Sequence, residues 1–279
     1  MACKSLLTVL SDARLTAPPL QQLAALAAHF DAHAEALCLG VDRTQIGYYY
    51  AGANAMLLQQ AMERARDEAA LLMGRARAAL AQSGLRWSAE EGIAQIADLG
   101  RHVAHRARFS DLVVLPRPYG PDRGAELATI AEAALFEGRA PVLVVPDQGP
   151  PLTRPRQVIV AWNESAEALA AIRRALPFLQ AAELVRIVVI DPPAHGPERS
   201  DPGGLLSLML ARHGVSCEID VLSRTLPRVS DILNRHARDS GAELIVMGAY
   251  GHARLREAIL GGATRSMLEQ AEIPVLMAH

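Results

Sequence analysis

Aromatic residues are scarce in this chain, at 4% of 279 residues, although 51% of the residues are hydrophobic. The core must therefore be built mainly from Ala, Leu, Val and Ile. Neither sign of charge is in excess, since 28 Lys and Arg stand against 30 Asp and Glu. This balance argues against nucleic acid as the main partner, because nucleic-acid binding needs a net-basic surface or a basic stripe.

Cysteine is also rare, and Cys3, Cys38 and Cys217 show no spacing typical of a metal site or a disulfide framework. Their scarcity favours a reducing compartment. Long hydrophobic runs are missing too, and the N-terminal apolar run meets Asp12 and Arg14 too soon for a signal peptide or an anchor. We therefore expect a cytoplasmic protein with no membrane partner.

What the chain does have is a regular alternation of short apolar runs with longer Ala-rich helical patterns. In the first half this pattern predicts strands at 6–10, 36–41, 85–91, 112–115 and 141–145, and helices at 18–30, 53–83, 93–106 and 126–137. In the second half it predicts strands at 157–161, 185–190, 218–222, 244–247 and 274–277, and helices at 165–179, 203–213, 229–240 and 262–271. Strands that alternate with helices indicate a parallel sheet, because each parallel crossover needs a helix.

The two halves repeat one another in sequence. The segment SDLVVLPRPYG of the first half matches AELIVMGAYG of the second, and EGRAPVLVVPD matches QAEIPVLMAH. Between the copies lies a linker at 147–156, rich in proline and polar residues. The fold class predicted is α/β: two tandem, doubly wound, five-stranded parallel-sheet domains of Rossmann-like type, at 1–147 and 156–279.

The last strand of each copy is apolar and would leave an exposed sheet edge if it were unpaired. We therefore predict that residues 141–145 and 274–277 run side by side and antiparallel, so that the copies pack as an intramolecular pseudo-dimer. Further homodimerisation of the whole chain is left open.

A glycine-rich segment in the second copy is typical of a phosphate site. It reads MGAYGHARLREAILGGATRSML, so that Gly248 and Gly251 follow a buried strand while Gly261 and Gly262 open the last helix. Glycine lets a backbone approach a ligand closely, and the N–H groups of a helix N-terminus suit a phosphate. Thr264 adds a hydroxyl in the first turn, and Arg265 adds a positive charge.

These residues resemble the universal stress protein family, whose nucleotide-binding members carry a Gly, two residues, a Gly, nine residues, a Gly and then Ser or Thr. Gly248, Gly251 and Gly261 keep that spacing, and Gly262 stands where the family has Ser or Thr. The resemblance covers nearly the whole chain. It implies ATP or a related adenine nucleotide in the second copy, together with magnesium.

The resemblance also implies a role for each candidate residue. Adenine would lie near Val189 and Met247, and the ribose near Asn163, where the family usually has Asp. The full set of candidate binding residues is Ala161, Trp162, Asn163, Val189, Met247, Gly248, Gly251, Gly261, Gly262, Ala263 and Thr264.

The first copy has a degenerate version of the motif. Pro116 and Tyr119 replace the first two glycines, and Ala128 and Thr129 replace Gly261 and Gly262. Proline has no N–H to donate. We expect this half to keep the fold without the site, and Tyr119 and Ala128 to tolerate substitution.

Plainer interpretations of the same residues stay open. The glycines could serve ordinary turns and caps, Trp162 could be packing, and Asn163 could cap the following helix. His102 and His105 have a spacing that could share a metal, although a solvated helix face is favoured, and packing is favoured for the tyrosines at 48–50.

The leading hypothesis is a regulatory or protective nucleotide-binding module of the stress response, and not an enzyme beyond very slow ATP hydrolysis, since the motif holds no evident general base. One alternative is a nucleotide-free interaction protein of the stress response. Another is an adenylyl-transferring enzyme or a subunit like those of electron-transfer flavoproteins, for which the chain has little spare length.

Overall fold

A computed structural model describes residues 3–43, 53–81, 84–192, 201–249 and 262–279. The elements of the first half are β1 (Ser5–Leu10), α1 (Ala17–Phe30), β2 (His33–Asp42), α2 (Ala53–Ala81), β3 (Arg86–Gln95), α3 (Ile96–Ala107), β4 (Leu112–Pro116), α4 (Ala125–Glu132) and β5 (Val142–Val145). A short 3₁₀ turn (Ala13–Leu15) precedes α1, and a π-helical turn (Ala133–Glu137) extends α4.

The second half follows the same order. Its elements are β6 (Gln157–Trp162), α5 (Ala166–Ala181), β7 (Leu184–Ile190), α6 (Gly204–Arg212), β8 (Cys217–Leu222), α7 (Val229–Ser240), β9 (Leu244–Gly248), α8 (Gly262–Gln270) and β10 (Val275–Ala278). The predicted α/β fold with repeated strand–helix units is confirmed.

The chain divides into two compact units. One unit comprises residues 3–118 and 122–140, and its four parallel strands lie in the order β3-β2-β1-β4. The other comprises residues 1–2, 119–121 and 141–279. It contains all of the second copy together with β5, in the order β5-β10-β9-β6-β7-β8.

The pairing of β5 with β10 is antiparallel, whereas the other strand pairs of the second unit are parallel. Leu276 lies opposite Leu143, and Val275 lies opposite Val144. Both strands are fully buried. The predicted antiparallel pairing of the last strands is confirmed, and it covers an apolar strand edge that would otherwise favour association.

The cores are aliphatic, as the scarcity of aromatic residues requires. Among the described residues, Phe178 is the one aromatic side chain in the buried hydrophobic set. The inner strands β1, β4 and β9 are buried along almost their whole length, and β6 is buried at its three central residues Val158–Val160, which is the pattern of parallel strands covered on both faces. Because both faces of such strands are covered, a ligand can reach the strands only at their ends.

Strand β2 begins at His33, earlier than the predicted residue 36, and the predicted boundary between β3 and α3 is wrong. Residues 93–95 were expected to begin a helix, but they continue β3, and α3 begins at Ile96. The reason is strand pairing, since β2 and β3 stay in register as far as Asp42 and Gln95. A ten-residue ladder of backbone hydrogen bonds overrides the local helical pattern.

The buried cysteines are poor nucleophiles. Burial raises the pKa of Cys3 to about 11 and that of Cys38 to about 12, so both stay protonated as thiols near neutral pH. In the part of the chain that the structure describes, no helix combines the length and the apolar character needed to cross a membrane.

Candidate nucleotide site

The candidate site lies where the strand order of the second unit reverses. The chain runs outward from β6 to β7 and β8, then returns to β9 and β10 on the other side of β6. Doubly wound sheets bind ligands beyond the carboxyl ends of their strands at this point. The crevice is therefore expected beside the ends of β6 and β9.

Five of the predicted residues lie together at this edge. Ala161 is in register with Met247 on one side and with Val188 on the other, and Trp162 is in register with Val189. Gly248 ends β9, paired with Ala278. The strands thus bring Ala161, Trp162, Val189, Met247 and Gly248 to one end of the sheet.

These residues do not share a face. Side chains alternate along a strand, so Trp162 and Val189 lie on one face while Ala161 and Met247 lie on the other. Val189 and Met247 are also both buried. Because Val189 and Met247 lie on opposite faces, an adenine ring could contact both residues only at the end of the sheet, mainly through their backbone groups.

Trp162 packs against the start of α6. Gly203, which precedes α6 with φ +83°, lies so close that a Cβ there would be 3.7 Å from Trp162 Cδ1 and 3.3 Å from Ile187 Cγ2. The indole is half-buried, and its Nε1 is buried without a hydrogen-bond partner among the described residues. Trp162 therefore packs as a structural residue while presenting an unused donor, and Gly203 is a contact that motif reasoning missed.

Asn163 follows β6 and shapes the turn into α5. Its Oδ1 accepts a hydrogen bond from the Ser165 backbone N–H at 3.3 Å, while Ser165 Oγ accepts from the Ala168 N–H at 3.1 Å and caps the helix. The cap is thus Ser165 and not Asn163. Between them Glu164 is held at φ +61°, which is uncommon for a residue with a side chain.

Gly248 is required by packing. A Cβ at this position would lie 2.5 Å from the Ala168 backbone nitrogen and 2.8 Å from the Glu167 carbonyl carbon. The first turn of α5 therefore approaches β9 as closely as a bare backbone permits. The open interpretation of Gly248 as a structural glycine is correct, and any ligand contact comes in addition to it.

Gly262 differs, because nothing lies within 4 Å of a Cβ built there. It begins α8, where it and Ala263 are exposed and Thr264 is buried. Packing thus does not explain this glycine, and Gly262 and Ala263 at the start of α8 are exposed to solvent. Gly251 and Gly261 lie outside the described residues, as do the tyrosines at 48–50.

At the corresponding end of the sheet in the first copy, charged side chains of the chain itself pair with one another. The guanidinium of Arg43, just after β2, contacts Glu126 Oε1 through Nη2 at 2.5 Å and Glu68 Oε2 through Nη1 at 3.1 Å. Arg43 Nη2 also donates to the backbone carbonyl of Ser11, directly after β1, at 3.3 Å. Glu68 Oε2 in turn accepts from the Val41 N–H at 3.2 Å. We call Arg43, Glu68 and Glu126 the first-copy ion cluster.

Glu126 lies in the first turn of α4, and only 5% of its side chain is exposed. A carboxylate there is favoured by the positive end of the helix dipole, as a phosphate would be. Burial alone disfavours the Arg43 cation, but hydrogen bonds with Glu126 and Glu68 outweigh it and raise the pKa of Arg43 above its usual value. Gly124 makes the arrangement possible, since a Cβ there would lie 2.2 Å from Glu126 Oε2.

The degenerate motif positions are placed differently from expectation. Pro116 ends β4, but Ala128 and Thr129 lie inside α4, which begins at Ala125. The helix of the first copy thus starts about one turn before the residues that align with Gly261 and Gly262. The first turn of α4 carries Glu126.

His102 and His105 are exposed on α3, where His105 meets the Phe109 ring edge-on at a centroid distance of 6.1 Å. They line a groove with Glu90 and Arg106, whose charges pair with each other. The described ranges contain no group of three or more His, Cys, Asp or Glu residues placed to hold a metal ion.

Comparison with known proteins shows which protein family the second copy resembles in sequence. Residues 155–279 match the model of the universal stress protein family. Universal stress protein Slr1230 of Synechocystis is 28% identical over 141 residues, which are 49% of this chain and 46% of that protein. The chain thus spans about half the length of the curated relative it matches. The second copy of this chain is thus similar in sequence to the universal stress protein family.

Solved structures show the same fold over nearly the whole chain. A universal stress protein from Archaeoglobus fulgidus has a TM-score of 0.71 at 14% identity, with 98% of this chain and 95% of that chain covered. A structure described as a putative universal stress protein from Pseudomonas aeruginosa has a TM-score of 0.62 at 17% identity, with 99% and 93% covered. At these identities the likeness concerns the fold alone, and it includes the first copy, which lies outside the family-model match.

Proposed function

We propose that the second copy binds an adenine nucleotide, ATP with magnesium foremost, as a regulatory or protective binding module of a cytoplasmic stress response. The observation that carries the proposal is the glycine motif at the switch point. Gly248 ends β9 beside β6, and after the family spacing the motif reaches exposed Gly262 at the start of α8.

The chemistry of the edge fits the parts of a nucleotide. Exposed Asn163 offers amide hydrogens to a ribose, because its Oδ1 is engaged with the Ser165 N–H. The backbone N–H groups and the dipole at the start of a helix such as α8 favour phosphate. No Walker-type lysine stands in the motif, and the proposed module holds a nucleotide without turning it over quickly.

The direct test is calorimetry of the full chain with ATP, ADP and AMP, with and without magnesium, after mass spectrometry of any ligand released from the purified protein. Saturable binding of one of these nucleotides supports the proposal. No bound nucleotide and no heat of binding would reject it.

That negative result would favour a nucleotide-free interaction protein. Two observations keep this second function in view. Gly262 offers no hydroxyl where the family has Ser or Thr, and the Asn163 oxygen is already used by its own turn. A phosphate-release assay distinguishes these two non-enzymatic functions from an ATP-hydrolysing enzyme. Turnover of about 1 per second or faster would be typical of catalysis.

A further inference from the structure

The loop after β4 lies against α8. The guanidinium carbon of Arg265 on α8 is 5.2 Å from the centre of the Tyr119 ring. A Cβ built on Gly120 would lie 4.0 Å from the Glu269 carbonyl oxygen, one turn further along α8. Residues 119–121 accordingly belong to the same compact unit as the second copy, although they follow strand β4 of the first.

Gly120 lets the loop take this path. Its φ of +121° is a backbone conformation that residues with a side chain rarely adopt. The glycine therefore turns the chain so that the preceding tyrosine faces α8. Tyr119 is the residue that replaces the second glycine of the motif in the first copy.

The contact restricts a long, flexible cation. A guanidinium within about 6 Å of a ring centre is attracted by the electrons of the ring face. Arg265 is exposed, so without the ring its side chain would sample many rotamers. Side chains on a helix lean toward its N-terminus, so Arg265 reaches back toward the turn formed by Gly262–Thr264.

We propose that Tyr119 is a positioning residue of the nucleotide site: it holds the Arg265 guanidinium beside the first turn of α8, where that cation meets the phosphates. The degenerate loop of the first copy thus contributes to the site of the second. This inference rests on the proposed function. It also replaces the expectation that Tyr119 tolerates any change.

The test is calorimetry on the full chain with two ligands, ATP and adenosine, for Tyr119→Leu, Tyr119→Phe, Arg265→Gln and the double variant Tyr119→Leu/Arg265→Gln. Tyr119→Leu should weaken ATP binding about 3-fold, the scale of an exposed cation–π contact. Tyr119→Phe should bind ATP like the wild type, because it keeps the ring. Circular dichroism of each variant checks that it is folded.

Two further results separate positioning from general damage. The double variant should lose no more ATP affinity than Arg265→Gln alone, since Tyr119 acts through that arginine. Adenosine affinity should be unchanged in all four variants, because adenosine has no phosphate. Independent losses that add, an equal loss for adenosine, or a folded Tyr119→Leu variant with wild-type ATP affinity would overturn the inference. Wild-type protein that binds no nucleotide would instead overturn the proposed function itself.

Discussion

The carboxyl-end crevices of the two copies are built from equivalent elements and differ in where negative charge comes from. In the first copy the first turn of α4 carries Glu126, buried and paired with Arg43. In the second copy the first turn of α8 has no acidic residue and begins with exposed Gly262. The helix N-terminus of the first copy thus has a carboxylate from the chain itself, and under the proposed function the helix N-terminus of the second copy receives its negative charge from the nucleotide.

The first copy shows what a repeated fold can place at this end of the sheet in the absence of the glycine motif. The first copy keeps the strand–helix order, and the first turn of α4 carries the carboxylate of Glu126. Arg43 then joins the ends of β1 and β2 to α2 and α4 through Ser11, Glu68 and Glu126. The cluster makes the contacts that a bound anion would otherwise make.

The strongest test of the difference between the two copies is a substitution that blocks nucleotide binding in the second copy alone. Gly261→Val should weaken ATP binding by at least about 100-fold, a loss of roughly 2.8 kcal/mol, because a branched side chain in the motif obstructs close backbone approach to phosphate. Ala128→Val, at the aligned position of the first copy, is the control and should leave the affinity unchanged. Calorimetry on both variants checks this, and equal losses would contradict the assignment.

The first-copy ion cluster should matter for stability and not for nucleotide binding. Glu126→Ala leaves Arg43 partly buried without its closest partner and should lower the free energy of unfolding by about 2–3 kcal/mol, toward the low end for broken buried pairs because Arg43 is 43% exposed. Glu68→Ala should lower the free energy of unfolding by less than Glu126→Ala, since the Glu68 side chain is 25% exposed. Urea unfolding followed by circular dichroism measures both, and wild-type stability in Glu126→Ala would refute the structural role of the cluster.

Substitutions of Gly248, at the end of β9, and of Gly262, at the start of α8, should change the free energy of unfolding by different amounts in the same assay. Gly248→Ala should destabilise by about 2 kcal/mol, because the new methyl group overlaps the α5 backbone at Ala168. Gly262→Ala should be neutral or stabilising by up to about 1 kcal/mol, since the methyl group meets open space in a helix. If both substitutions cost the same, the distinction between a packing glycine and an open one fails.

The smallest expected effect is a gain in ATP affinity. Gly262→Ser restores the hydroxyl that the family motif has here, and one added hydrogen bond of about 1 kcal/mol should tighten ATP binding roughly 5-fold. Gly262→Ala is the matched control without the hydroxyl. A serine variant that binds no better than the alanine variant would mean that position 262 does not face the phosphates.

Most of the fold could be predicted from the sequence because its signals are local and repeated. Hydrophobic periodicity located the helices and strands, and the apolar last strands predicted the pairing of β5 with β10. The helix expected from residue 93 failed because the partner strand β2 decides where β3 ends. Such a boundary depends on a residue about fifty positions away in the chain.

The details of the candidate site were harder to predict because they depend on contacts between distant segments. Gly248 matches a motif, yet only the position of Ala168 shows that packing requires it. The partners of Arg43 lie in three different elements, so no spacing in the sequence could reveal the cluster. Tyr119 and Arg265 are likewise far apart in the chain and meet through the turn at Gly120.

The central claim is that one copy binds a nucleotide while the other is closed by its own carboxylate. The most direct measurement is the stoichiometry of ATP binding to the full chain with magnesium, by calorimetry against an independently determined protein concentration. The account predicts one nucleotide per chain. Two nucleotides per chain would show that the first-copy ion cluster does not close its crevice, and none would contradict the proposed site in the second copy.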